Sequence, residues 1–171
     1  MRLKEQRSNL LHLYKIVYLF YLQIRLFICL HFVIINLFTI FEIMKIYTYN
    51  LTVKALDIDA LNHVNNVIYL QWINDISILH WNSLSNESIN KKYIWVASRH
   101  EIDYIKPAFL GEKITINTWI ETLEGVKSIR KVEILRNNVL LAKSKTTWVL
   151  LNAKTQRLAR IPTEILDIFN S

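Results

Sequence analysis

Asp57-Ile58-Asp59-Ala60-Leu61-Asn62-His63-Val64-Asn65-Asn66 is the stretch on which the reading of this chain turns. It packs two carboxylates, one imidazole and three side-chain amides into ten positions. A strand-like run rich in Tyr, Thr and Val precedes it (45–56) and a helix-like run follows it (67–83). Polar side chains at a strand-to-helix junction meet the helix N-terminus. Free backbone N–H groups and a partial positive charge there can hold an anion or polarise a carbonyl. That layout suits acyl transfer, in which a carboxylate works beside an oxyanion site.

Outward from the junction, the helix carries Tyr69, Trp72, Ile73, Ile76 and Leu79 at helical spacing, with Val67, Ile68, Leu70, Ile78 and Trp81 on its other faces. A helix apolar nearly all round is expected to be buried. Asn82, Ser83, Ser85, Asn86 and Ser88 read as a polar loop. Four strand-like runs follow at 94–105, 113–122, 126–136 and 139–151. Pro107 breaks off the first of them, because proline has no donor for a ladder. Asn137-Asn138 fits a two-residue hairpin turn, since Asn tolerates positive φ. A short helix is expected after Pro162. One strand, one buried helix and an antiparallel meander predict an α+β fold with the sheet wrapped around a long central helix. The edges of such a sheet invite pairing, so a homodimer or homotetramer is expected.

Composition excludes several classes. The 171-residue chain has two glycines, Gly111 and Gly125, too few for a Gly-rich phosphate loop. Its one cysteine, Cys29, rules out an intrachain disulfide framework or a CxxC motif. The histidines at 12, 31, 63, 80 and 100 show no metal-ligand spacing, so neither metal nor cofactor is expected. The net charge of +7 fits an anionic small-molecule or carrier partner. It is spread without basic clusters or aromatic-basic repeats, which argues against nucleic acid.

The motif Asp57-x-Asp59-x-x-x-His63-Val64-Asn65-Asn66-x-x-Tyr69 resembles the hotdog-fold acyl-CoA thioesterases of the four-hydroxybenzoyl-CoA thioesterase superfamily. It also resembles the related acyl carrier protein thioesterases. The run from Ile102-Asp103-Tyr104 to Gly111-Glu112 and the Thr147-Trp148-Val149-Leu150 segment extend the resemblance over roughly 45–168. It implies a single hotdog domain that hydrolyses acyl-CoA in the cytoplasm to free acid and coenzyme A. Hydrolysis of acyl carrier protein thioesters and non-catalytic acyl binding are the alternatives. Two positions depart from the relatives. Asn62 stands where many have Gly, and Leu61 stands where the carrier-protein enzymes commonly have Asn.

Carried onto these positions, the resemblance makes Asp59 the expected catalytic carboxylate, as nucleophile or as general base. An Asx turn is the bland alternative. His63 is expected to orient Asp59 or to touch substrate, with a satisfied structural histidine as the alternative. Val64, Asn65, Asn66 and Tyr69 are the expected substrate-binding residues, with backbone N–H groups at 64–66 facing the thioester oxygen and Tyr69 lining the acyl site. Capping and core packing are their alternatives. Asp57 is expected to shape the loop, and Lys91 and Lys92 to belong to a solvated loop, with contact to a coenzyme phosphate as the alternative.

Residues 1–43 read as a different material from the 44–171 domain: Leu, Ile, Phe and Tyr, with no Ala, Gly, Pro, Asp or Trp. The charge-free run 26–41 would span ~24 Å as a helix, short of the ~30 Å hydrocarbon core. Arg2, Lys4 and Arg7 would also hold the N-terminus inside and export the domain. The expectation is an apolar extension foreign to the native protein, which would begin at Met44, with a membrane-associated segment and a core helix as the other readings.

Overall fold

The computed structural model describes residues 23–27 and 45–170. The chain separates into two units, Met1–Ile43 and Met44–Ser171. Of the first, residues 23–27 form an exposed helical stretch. The expectations for the remainder of 1–43 lie outside the described residues. Among the described residues, no helix is long and apolar enough to cross a membrane.

In the second unit the alternating segments form strands β1 (Tyr47–Thr52), β2 (Tyr93–Tyr104), β3 (Lys113–Glu124), β4 (Lys127–Arg136) and β5 (Val139–Asn152). They make one antiparallel sheet in the order β1-β3-β4-β5-β2, so β1 and β2 are its edges. The β4–β5 hairpin turns at Asn137 and Asn138, at φ 49° and 63°, as the residue pair predicts. β1 is shorter than its apolar run because a single 3-10 turn, Ala55–Asp57, takes over the end of that run. The Asp57 carboxylate closes this turn by accepting the Lys54 N–H at 2.8 Å.

Helix α1 (Asn66–Leu84) lies along one face of the sheet. Tyr69, Trp72, Ile73, Ile76 and His80 form its buried stripe. The first four meet Ile114, Ile116, Val132, Ile134, Leu141 and Ala142 from the strands. Each fully buried Ile or Leu contributes about 1.5–3 kcal/mol by removal from water. The expectation of burial all round is corrected: Val67 is 68 % exposed and Ile78 53 %. A single sheet covers one side of a helix and leaves the other open.

A second correction concerns the polar segment after α1. It contains a short helix, α2 (Glu87–Lys92). Asn86 caps it by accepting the Ile89 N–H at 3.0 Å, and buried Ile89 anchors it. Helix α3 (Thr163–Asn170) follows Pro162 as expected. The Ile161 N–H ties the approach to α3 onto the Gly125 carbonyl at 2.8 Å. Ile161 and Ile165 then join Ile89 and Leu150 in a second cluster, with Trp81, Trp95 and Phe169 packed around it.

Candidate active site

The junction folds back on itself through local backbone bonds. The Asp59 N–H donates to the His63 carbonyl (2.9 Å), and Ile58 bridges Val64. The Asn62 N–H closes the turn onto the Asp59 carbonyl at 3.0 Å. Asn62 reaches this geometry at φ 62°, a left-handed conformation that Asn adopts more readily than other residues with a side chain. The Asp59 carboxylate accepts the Leu61 N–H through Oδ1 (2.8 Å), which is the Asx turn of the bland reading. Its other oxygen, Oδ2, stands 3.4 Å from Nδ1 of His63. Asp59 therefore both shapes the loop and holds the imidazole.

His63 Nδ1 also lies 3.3 Å from the Val64 carbonyl. Both of its neighbours are acceptors, so in the neutral ring Nδ1 carries the proton and Nε2 keeps the lone pair. Both contacts are long for hydrogen bonds, and the two side chains remain partly open, at 32 % for His63 and 23 % for Asp59. The pair stays accessible to water and to a small molecule.

The three N–H groups at the helix start have separate fates. That of Val64 donates to the Ala108 carbonyl and that of Asn65 to the Asp57 carbonyl, each at 2.9 Å. The Asn65 side chain caps α1 by accepting the Val67 N–H at 3.0 Å. Among the described residues, the Asn66 N–H has no acceptor. The expected row of three donors thus narrows to one, because Val64 spends its N–H on docking the 105–112 segment and Asn65 spends its own on closing the loop. Val64 is 2 % exposed and serves as core.

Tyr69 is equally buried, with its ring against Trp72 and Tyr104. Its hydroxyl accepts the Ala108 N–H at 3.1 Å, and burial pushes its pKa up. Beside this end of α1 opens a cleft of about 190 Å³, lined by His63, Val64, Asn66, Tyr69, Tyr104 and Lys106 among others. Asp59 and Asn65 are not in its wall.

The second wall comes from the 105–112 segment, whose anchors were not singled out from the sequence. Glu112 accepts the Phe109 N–H at 2.9 Å and both carboxylate oxygens meet Arg136 Nη1, at 2.7 and 2.8 Å. Val53 and Gly111 to Glu112 exchange backbone bonds at 3.0 Å, pinning the segment to the end of β1. The Tyr104 hydroxyl donates to the Asn66 carbonyl at 3.1 Å, so Tyr104 steadies the helix start as well as lining the cleft. Tyr104 and Lys106 lie within the 102–112 motif, which was the available signal for them. Lys91 and Lys92 do not face the cleft. They sit on α2, paired with Glu87 (2.6 Å) and Glu164 (3.5 Å).

The chain is similar to proteins named as thioesterases. A palmitoyl-acyl carrier protein thioesterase of Gossypium hirsutum is 22 % identical over 132 residues, 70 % of this chain and 32 % of that protein. The chain thus spans about a third of that plant relative and about a fifth of the Arabidopsis thaliana one. The long-chain acyl-CoA thioesterase FadM of Escherichia coli K12 is 23 % identical over 125 residues, 67 % of this chain and 90 % of FadM. Among solved structures, a predicted thioesterase from Bacillus stearothermophilus superposes with a TM-score of 0.67 at 25 % identity, over 73 % of this chain and 94 % of that one. Such neighbours carry the hotdog fold, with its antiparallel sheet and long helix. The family model for the acyl-ACP thioesterase N-terminal domain matches residues 44–169, and the chain belongs to that family.

Proposed function

We propose that the chain hydrolyses acyl thioesters, with acyl-CoA as substrate. The observation that carries the reading is the Asp59–His63 pair at 3.4 Å, set at the start of a helix whose Asn66 N–H is unused. Asp59 draws a proton from water, and the resulting hydroxide attacks the thioester carbonyl carbon. The carbonyl oxygen takes the negative charge and lies on the Asn66 N–H and the positive end of α1. When the intermediate collapses the C–S bond breaks. The thiolate leaves and takes up the proton that Asp59 drew from water, and the acyl group departs as the carboxylic acid. The same carboxylate could instead attack the carbonyl directly as nucleophile. His63 holds Asp59 in place through Nδ1. Tyr69 and Val64 form the apolar floor, and Asn65 fixes the helix start.

The near full-length correspondence with FadM, itself a long-chain acyl-CoA thioesterase, supports acyl-CoA as the substrate. The matching family model favours a second reading, in which the acyl group arrives on carrier protein. Lys106 on the cleft wall suits the phosphate-bearing arm of either. We place the protein in the cytoplasm, where such thioesters are made and used. The active unit is a homodimer or homotetramer. In support, β2 leaves a sheet edge open, and Val67, Tyr104, Ile105 and Phe109 leave apolar surface in solvent at the cleft end. Sedimentation of the full chain tests this, and a strictly monomeric active enzyme would refute it.

The test of the chemistry is Asp59→Asn, assayed with acyl-CoA and acyl carrier protein substrates of matched chain length. The expected outcome is a folded protein with turnover lowered about 10²–10⁴-fold on the preferred carrier. Near-native turnover would sink the assignment, and binding without turnover in the parent protein would make it an acyl-binding module.

A further inference from the structure

We propose that a second site, in the cavity between the C-terminal half of α1 and the sheet, binds an organic monocarboxylate with an apolar body, its carboxylate resting on Arg130. The cavity measures about 380 Å³ and shares no wall residue with the cleft at the other end of the helix. That volume lies within the ~300–1,000 Å³ usual for small-molecule sites. The proposal stands apart from thioester hydrolysis.

Arg130 lies on the inner face of β4 and is 4 % exposed. Its Nη1 meets Nδ1 of His80 at 2.8 Å and Oγ1 of Thr118 at 3.0 Å. Both partners are neutral: burial first, and then the guanidinium itself, lower the His80 pKa to about 4. Among the described residues no carboxylate lies within ion-pair distance of Arg130, and none lines the cavity. A buried guanidinium without an anion is a strongly unfavourable arrangement for a protein to keep.

Geometry indicates what would relieve it. Guanidinium has five N–H donors. The Nη1 contacts use two, which leaves the Nε–Nη2 edge without an acceptor among the described residues. That edge is the fork that grips a carboxylate through two parallel hydrogen bonds. A second unmet donor lies in the same wall: Nε1 of Trp148 is buried without a hydrogen-bond partner. Trp81, Tyr93, Trp95 and Phe169 supply an apolar part of the remaining wall together with three isoleucines, beside two serines and two asparagines. Unmet donors with aromatic walls fit an acid with an apolar body better than a small inorganic anion.

Three of the five tryptophans line this cavity, so intrinsic fluorescence of the full chain reports its occupancy. Decanoate is the aliphatic probe, 3-phenylpropanoate the aromatic one, and decanol and inorganic phosphate the controls. At neutral pH at least one acid is expected to bind about ten- to hundredfold tighter than decanol, as for hydrogen bonds to a charged group. The tighter acid identifies the body the site accepts. Arg130→Met is expected to remove the preference for acid over alcohol. Arg130→Lys, which keeps a cation, should retain part of it and serves if the Met variant does not fold. Equal affinity for acids and decanol in the parent protein overturns the proposal. So does an acid preference that survives Arg130→Met, or phosphate binding as tightly as either acid.

Discussion

The two ends of α1 are built in opposite ways. At the N-terminal end the functional groups come from neighbouring positions, and Asp59, Leu61, Asn62, His63 and Asn65 are held by bonds within one loop. The groups there are partly open to water, and the unused donor is a backbone N–H. At the C-terminal end, His80, Thr118 and Arg130 come from a helix and two strands and are all buried. The unused donors there are side-chain N–H groups. An open end with a local carboxylate suits chemistry with water. A buried, uncompensated cation on a cavity wall suits the retention of an anion. The contrast shows how one helix on one sheet can offer two separate polar sites at opposite ends of a shared apolar core.

The sharpest way to break this contrast is to remove the open donor alone. Asn66 occupies the first position of α1, where proline is tolerated, and Asn65 already has the extended backbone (φ −61°, ψ 136°) that proline requires before it. Asn66→Pro should lower kcat about 10²–10³-fold, the usual effect of losing an oxyanion donor, while leaving the melting temperature nearly unchanged. Unchanged kcat in a folded variant would remove the Asn66 N–H from the mechanism.

The buried His80–Arg130 pair should answer to pH. The His80 pKa of about 4 in the fold lies below its ordinary 6.5, so the unfolded chain takes up the proton first as pH falls. Stability is therefore fully present above about pH 6.5, declines between 6.5 and 4, and levels off below. At ~1.4 kcal/mol per pKa unit the loss is on the order of 3 kcal/mol. Burial also lowers the His100 pKa, so His100 contributes a loss of the same sign as pH falls below 6.5. Urea denaturation at stepped pH measures the effect. Because burial is the larger cause for His80 and the guanidinium the smaller, Arg130→Met should narrow the window without abolishing it. A flat profile between pH 7 and 4 would contradict the buried neutral imidazole.

Tyr69→Phe gives the smallest effect and joins the two walls of the cleft. It leaves the Ala108 N–H without its acceptor, for a loss of about 1–3 kcal/mol in chemical denaturation. A loss well under 1 kcal/mol would show that the Ala108 N–H finds another partner.

Much of this was legible in the chain. Alternation in 113–122 and 126–136 announced β3 and β4, and Asn137-Asn138 announced the hairpin, because strand period and turn chemistry are local. The polar loop and its place before a helix were legible for the same reason. The short helix α2 was missed because Ser and Asn favour loops and caps alike, and what decides between them is burial of Ile89 by distant residues. The roles of Val64, Asn65 and Asn66 could not be told apart, because their N–H groups differ only in whether Ala108 or Asp57 offers a carbonyl.

Sequence alone determined the order of the strands and of the long helix, the turn at Asn62 and the crowding of Asp59, His63 and Asn66 at one helix start, since each depends on residues a few positions apart. Only tertiary structure decided which face of β4 points inward. An alternating strand has two faces, and the Arg130 face carries Val132 and Ile134 while the opposite face carries Ile129 and Leu135. The sheet took the Arg130 face inside, against His80 and Thr118, and so set a cation in the core that no local pattern foretells.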